Sequence, residues 1–253
     1  MNPRLDVICF GILVADAIVR PVDEHPPRGA LALVEEISLR AGGCAVNSAI
    51  TLARLGLRAA VAGKVGADPF GDFLLARLDE EGVERGAVVR DLRVPTSATA
   101  VLVSSDGERT FLHDPGANAA LRAEELDRES LFAGRALHLA GTLVMPKLDG
   151  EPAAAILAEA RGRGLLTSVD TVWDATGRWE RALPCLAHAN LFCPSLAEGQ
   201  ALSGRSEPAA VADWLRARGV DEVALTMGAD GCYVASDELE GRIEGIPVTS
   251  VDG

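Results

Sequence analysis

Positive charge is scarce in this sequence. Its 253 residues hold 24 Lys and Arg against 37 Asp and Glu, a formal charge of −13. Such a chain repels phosphate backbones and anionic lipid surfaces, which argues against nucleic acid or a membrane as a general partner. A nucleotide is still admissible, because local backbone N–H groups can outweigh the global field. The five cysteines, at 9, 44, 185, 193 and 232, contain no CxxC pair, so neither a disulfide framework nor a zinc knuckle is indicated. The four histidines (25, 113, 138, 188) share no ligand spacing. His138, in an expected buried strand, reads as a satisfied core residue. No apolar stretch is long enough for a membrane helix. Leu5 to Val19 is as apolar as a signal peptide, but Asp6 and Asp16 interrupt it and no small-residue cleavage site follows. These absences point to a cytoplasmic protein with reduced thiols.

What is present is an apolar supply large enough for a sizeable core, since 48% of the residues are hydrophobic. Leu5 to Gly11 reads as a buried strand. Two apolar-rich runs follow (Ala15 to Val22, Leu31 to Leu39) around the turn-rich His25 to Gly29, and suggest two strands. Ala45 to Leu55 carries Val46, Ala49, Ile50 and Ala53 on one helical face. Ala59 to Ala62 is a short expected strand and Pro69 to Glu81 an expected helix. Asp106-Gly107 between two apolar runs, Ala98 to Ser104 and Glu108 to His113, signals a hairpin. Beyond it, strands are expected at 136–140, 165–169, 190–193 and 222–226, and helices at 151–162, 178–187, 195–203 and 208–218. The alternation implies an α/β fold: a doubly wound, mostly parallel sheet with helices on both faces. Segments of about 12–40 and 96–114 fall outside it and would form a small β-sheet lid over a site on the body.

Four segments can carry chemistry. Gly42-Gly43, after a strand, lets the backbone approach a ligand, and Asn47 in the helix that follows can donate and accept toward hydroxyls. An ordinary strand-to-helix turn explains the same residues. Gly63 to Gly71 (GKVGADPFG) fits neither the dinucleotide fingerprint nor a Walker loop. Ser195 followed by Glu198 is a capping box, or a carboxylate placed to hold hydrated Mg²⁺ near phosphates. Ala224 to Gly231 is a glycine turn, or the edge of a nucleotide groove with Thr226.

Taken in order, these segments resemble the ribokinase-like family of carbohydrate and nucleoside kinases. Its Gly-Gly-x-x-x-Asn motif appears as Gly42 to Asn47, its Gly-x-Val-Gly-x-Asp-x-Phe-Gly motif as Gly63 to Gly71, and the similarity spans the whole chain. The resemblance implies ATP- and Mg²⁺-dependent phosphoryl transfer to a hydroxyl of a sugar-like substrate. Asp16, Gly42, Gly43 and Asn47 would bind that substrate. Ser195, Thr226, Gly228 and Gly231 would border the nucleotide, and Glu198 would organise Mg²⁺ through water. Asp252 would stand near a monovalent cation. Two lids would pack together in a homodimer. There are departures: Ser195 replaces a frequent Asn, Cys44 a Lys found in some ribokinases, and Asp170-Thr171-Val172-Trp173-Asp174 the usual Asp-Pro-Asn stretch. The family continues from the position of Gly253 into Thr-Gly-Ala-Gly-Asp, which supplies the anion hole and the aspartate base, so no catalytic residue is expected within the 253. A nucleoside kinase is one alternative, although aromatic residues for a purine slot are few. A non-catalytic sugar- or nucleotide-binding protein is the other, if the chain naturally ends at Gly253.

Overall fold

The computed structural model describes residues 4–247. The chain opens with β1 (Leu5–Gly11), β2 (Val14–Arg20), β3 (Glu36–Gly42), α1 (Cys44–Arg54), β4 (Ala59–Gly66), α2 (Pro69–Glu80) and β5 (Glu84–Asp91). A hairpin of β6 (Ala98–Val103) and β7 (Arg109–Asp114) leads through the short α3 (Gly116–Ala120) and α4 (Arg128–Leu131) to β8 (Gly134–Thr142). Then come α5 (Glu151–Gly162), β9 (Leu166–Thr171), α6 (Leu183–Leu186), β10 (Leu191–Phe192), α7 (Leu196–Ser203), α8 (Pro208–Arg216), β11 (Glu222–Thr226), β12 (Cys232–Ala235) and β13 (Glu240–Ile243).

Nine strands form the body sheet in the order β13-β12-β11-β10-β9-β8-β1-β4-β5. All its pairings are parallel except those of β12 and β13. The chain runs outward from β1 to β4 and β5, then returns to β8 on the other side of β1. That reversal opens a crevice at the carboxyl ends of β1 and β8, where α/β sheets hold ligands. Alternate residues of β1 feed two cores: Ile8 and Phe10 pack with α5 and α8, and Val7 and Cys9 with α1 and α2. The two faces are covered unequally. On the α1 face Leu166 of β9 is 64% exposed, and Ser168, Cys193 and Ala224 are half-buried.

The second sheet has the order β3-β2-β6-β7 and draws on the two segments expected for a lid. Two polar clamps tie it to the body. The Asp68 carboxylate caps α2 by accepting from the Gly71 N–H at 2.8 Å. It also accepts from the N–H and hydroxyl of Thr96, each at 2.7 Å, just before β6. A Cβ on Gly66 would stand 2.6 Å from Thr96 N, so this glycine lets the clamp close. The fully buried Asn118 makes the second clamp, with its side chain bonded to both N–H and C=O of Leu13 between β1 and β2. The Gly63 to Gly71 motif therefore anchors the lid.

Several sequence expectations need correction. Leu31 and Leu33 are exposed, at 83% and 90%, and β3 starts only at Glu36. Apolar content misled there, because no facing strand covers the residues. Ala59 to Ala62 extends to Gly66 in β4. The helix expected over 178–187 is a 3₁₀ turn (Trp179–Ala182) followed by one turn of α6, with Pro184 at its start. Sequence reading missed β5, an edge strand of mixed exposure, and the β12–β13 hairpin.

Candidate active site

The first group of candidate residues is built where β1, β2, β3 and α1 meet. Asp16 lies directly opposite Arg40 and Thr99 across the lid, with His113 one strand further. The four side chains therefore share one face. A cavity of about 1000 Å³ lies against this face, with Asp16, Ile18, Arg40, Val101 and Phe111 in its wall. The Asp16 carboxylate covers Gly42 so closely that a Cβ there would stand 1.9 Å from Oδ2. Burial raises the affinity of Asp16 for its proton; the Thr99 hydroxyl and the charge of His113 oppose that shift. Gly43 caps α1 at φ 89°, and a Cβ on it would come within 2.5 Å of the Ile12 carbonyl. Glycine is needed at both positions, first for contact with a carboxylate and then for a left-handed backbone. Asn47 sits in the first turn of α1, its N–H bonded to the Gly43 carbonyl at 2.9 Å. Its side chain is solvent-exposed.

The adjoining wall comes from β1 and β8. Gly11 faces the Ala140 carbonyl, which a Cβ would reach at 1.9 Å. Beyond β8, Leu143 adopts φ 89°, a strained conformation for a branched residue. Asp149 holds that turn by accepting from Leu143 N–H at 3.0 Å, Met145 N–H at 2.8 Å and the Thr142 hydroxyl at 2.9 Å.

The second group of candidate residues lies at the ends of β9, β10 and β11. Ser195 caps α7, and its N–H and hydroxyl both donate to Glu198 Oε2 at 2.8 Å. The capping box is thus real, and it fixes the carboxylate. Ser195 bridges to Thr226, whose N–H donates to the Pro194 carbonyl at 3.0 Å, so the third and fourth segments are joined. Thr226 is exposed, and Gly228 turns at φ 60° with open space beside it. Gly231 has a packing reason to be glycine, since a Cβ would stand 2.0 Å from the Ile243 carbonyl. Asp252 lies outside the described residues.

Asp170, at the end of β9, escaped the sequence reading as a site residue. Burial and then the charge of Glu198 push its carboxyl up to about 7, while the Thr171 N–H pulls it down. A desolvated carboxyl raised by the charge of a second carboxylate marks a place where a cation would be favourable. The same two charges act on Cys44, whose thiol burial and they together push up to about 12. Cys44 directly follows Gly43, so the first residue of α1 feels the charge of both carboxylates. Among the described residues no three His, Cys, Asp or Glu side chains are grouped to hold a metal. Two carboxylates suit Mg²⁺, which takes one or two and completes its shell with phosphate oxygens and water. His138 is satisfied, as expected: its nitrogens lie 3.4 Å from Ser48 Oγ and 2.8 Å from Ser168 Oγ, and burial lowers it to about 4.

The chain belongs to the pfkB family of carbohydrate kinases, whose model matches residues 4–253. It is 29% identical to the 2-dehydro-3-deoxygluconokinase of Bacillus subtilis (strain 168) over 98% of this chain and 78% of that protein. The structure of a PfkB protein from Polaromonas sp. JS666 superposes with a TM-score of 0.82 at 28% identity, covering 96% of this chain and 84% of that one. An Escherichia coli relative in complex with ATP and Mg²⁺ shares the fold, with a TM-score of 0.79 at 20% identity over 98% of this chain and 80% of that one. The chain is therefore a carbohydrate kinase.

Proposed function

We propose that the chain moves the γ-phosphoryl group of ATP to a hydroxyl of a sugar or sugar-like molecule. One observation carries this reading: the Asp16 carboxylate stands over Gly42 just before α1, and the charges of Asp170 and Glu198 both act on Cys44, the first residue of that helix. A hydroxyl held on one side and a metal-bound phosphate on the other would meet at the start of α1. The positive end of the α1 dipole would face developing negative charge there.

In this reading Asp16 accepts hydrogen bonds from substrate hydroxyls, Gly42 and Gly43 admit the substrate to the backbone, and Asn47 adds an amide. Ser195, Thr226, Gly228 and Gly231 border the nucleotide. Glu198, through water, and Asp170 would hold Mg²⁺. When bound, Mg²⁺ neutralises phosphate charge, in a transfer that depends on positioning and electrostatics. The E. coli relative with ATP and Mg²⁺ supports this choice of donor and metal. The proposal extends to a monovalent cation near Asp252, to a cytoplasmic location and to a homodimer through the lids.

The test is substrate-dependent ADP release, measured over neutral hexoses and pentoses, acid sugars and nucleosides. ADP release that depends on a sugar is expected. Turnover of nucleosides alone would favour the nucleoside-kinase alternative, and no transfer to any hydroxyl would sink the proposal.

A further inference from the structure

The sequence has only two lysines, Lys64 and Lys147. Both line one cavity of about 490 Å³ where β4 and β5 end, together with Asp91, Arg93, Arg122 and Glu125. None of the residues placed above in the sugar or nucleotide site contributes to it.

The floor of this cavity is a buried ionic group. The Lys64 side chain is 2% exposed, and its ammonium donates to Asp91 Oδ2 at 3.0 Å and to Glu125 Oε1 at 2.5 Å. A buried ammonium needs such partners, so this triad has a structural role, tying β5 to the 3₁₀ turn Ala123–Glu125. Two carboxylates against one ammonium leave one negative charge. Arg93 answers it, with its guanidinium 3.7 Å from Asp91.

Arg122 and Lys147 are then surplus. Both are exposed, and among the described residues neither side chain makes a hydrogen bond or an ion pair. The cavity thus carries two positive charges in excess, in a chain whose formal charge is −13. Chance placement on so acidic a chain would set a surface cation beside a carboxylate. Here Arg122 and Lys147 line a cavity whose two carboxylates, Asp91 and Glu125, already face Lys64 and Arg93.

We propose that this cavity is a second anion site, which takes the phosphate group of a small phosphorylated molecule. A phosphate monoester carries close to two negative charges at neutral pH, which matches the excess. Arg122 offers the planar fork that suits phosphate oxygens and Lys147 a flexible point charge. The volume exceeds that of a bare phosphate and lies in the range of small-molecule sites. The site neither needs the proposed kinase reaction nor depends on it.

Calorimetric titration of the 253-residue chain with inorganic phosphate and with glucose 6-phosphate, at constant ionic strength, tests the proposal. The variant carries both Arg122→Glu and Lys147→Glu, changes at exposed positions that leave the Lys64 triad intact. Circular dichroism and the thermal midpoint should match those of the parent. Saturable binding of both probes is expected, weakened at least tenfold in the variant, while ADP affinity stays within twofold. Binding that survives the double charge reversal, no saturable binding of either probe, or binding of inorganic phosphate with exclusion of the sugar phosphate would each overturn it.

Discussion

The two sides of the site are built on different physical terms. The acceptor side is closed by sterics: Gly42 under the Asp16 carboxylate and Gly43 against the Ile12 carbonyl leave no room for a side chain. The phosphate side is held in electrostatic tension, with Asp170 pushed up to about 7 by burial and by Glu198. A sterically closed turn keeps its shape without a ligand. A pair of like charges waits for one. In the proposed function the sugar side is thus preorganised by backbone, and the phosphate side gains its partner when a cation binds.

The largest expected effect falls on the phosphate side. Asp170→Asn and Glu198→Gln should each lower phosphoryl transfer by about 100-fold or more, the scale of losing one preorganised charge contact. Sugar affinity should change little. Asp170→Asn should also raise the thermal midpoint, by about 2–4 °C, because it removes a charge that burial disfavours. The sign follows from linkage. A carboxyl raised above its unfolded value contributes stability at low pH and loses it as pH climbs toward 7. Loss of transfer together with loss of sugar binding in either variant would break the division between the two sides.

On the acceptor side the cost should appear first as stability. Gly43→Ala places a side chain at φ 89° and 2.5 Å from a carbonyl, and should destabilise the fold by about 3 kcal/mol, as read by urea unfolding. Gly42→Ala should displace Asp16 and weaken sugar binding about tenfold, with nucleotide binding intact. A Gly42→Ala variant with parental sugar affinity would show that Asp16 does not work in the observed position.

Two smaller effects concern the lid. Asp68→Ala removes a helix cap and two bonds to Thr96, and should cost about 2 kcal/mol and loosen the lid base. The lid face opposite Asp16 exposes Ile37 at 72% and Leu112 at 63%. If two lids pack there, Leu112→Asp should shift the mass in sedimentation from dimer to monomer, with transfer per subunit reduced only a few-fold. A monomeric parent chain would remove the lid interface from the account.

The sterically closed side was the more legible in sequence. Adjacent glycines before a helix state a backbone requirement locally, and Asn47 follows at a fixed spacing. The alternation from β8 to β11 was legible for the same reason, because buried parallel strands are continuous apolar runs. The phosphate side was only half visible. Glu198 announced itself through the Ser195 capping box, whereas Asp170 has no local signal. Its importance comes from burial and from a neighbour 28 positions away in the chain, which only the fold supplies. Leu31 to Leu39 failed in the opposite sense: apolar residues were present, but no strand faced their first half. The β12–β13 hairpin was missed because its half-buried residues leave a weak alternation.

The central claim is that Asp170 and Glu198 form the metal-dependent side of the site, and the binding of Mg·ADP as a function of pH tests it most directly. Protons compete with Mg²⁺ for a carboxyl poised at about 7, so affinity measured by calorimetry should rise several-fold from pH 6 to pH 8. Asp170→Asn should bind more weakly and show less of that rise. An unchanged pH profile in Asp170→Asn, or a parent whose nucleotide affinity ignores Mg²⁺, would contradict the account.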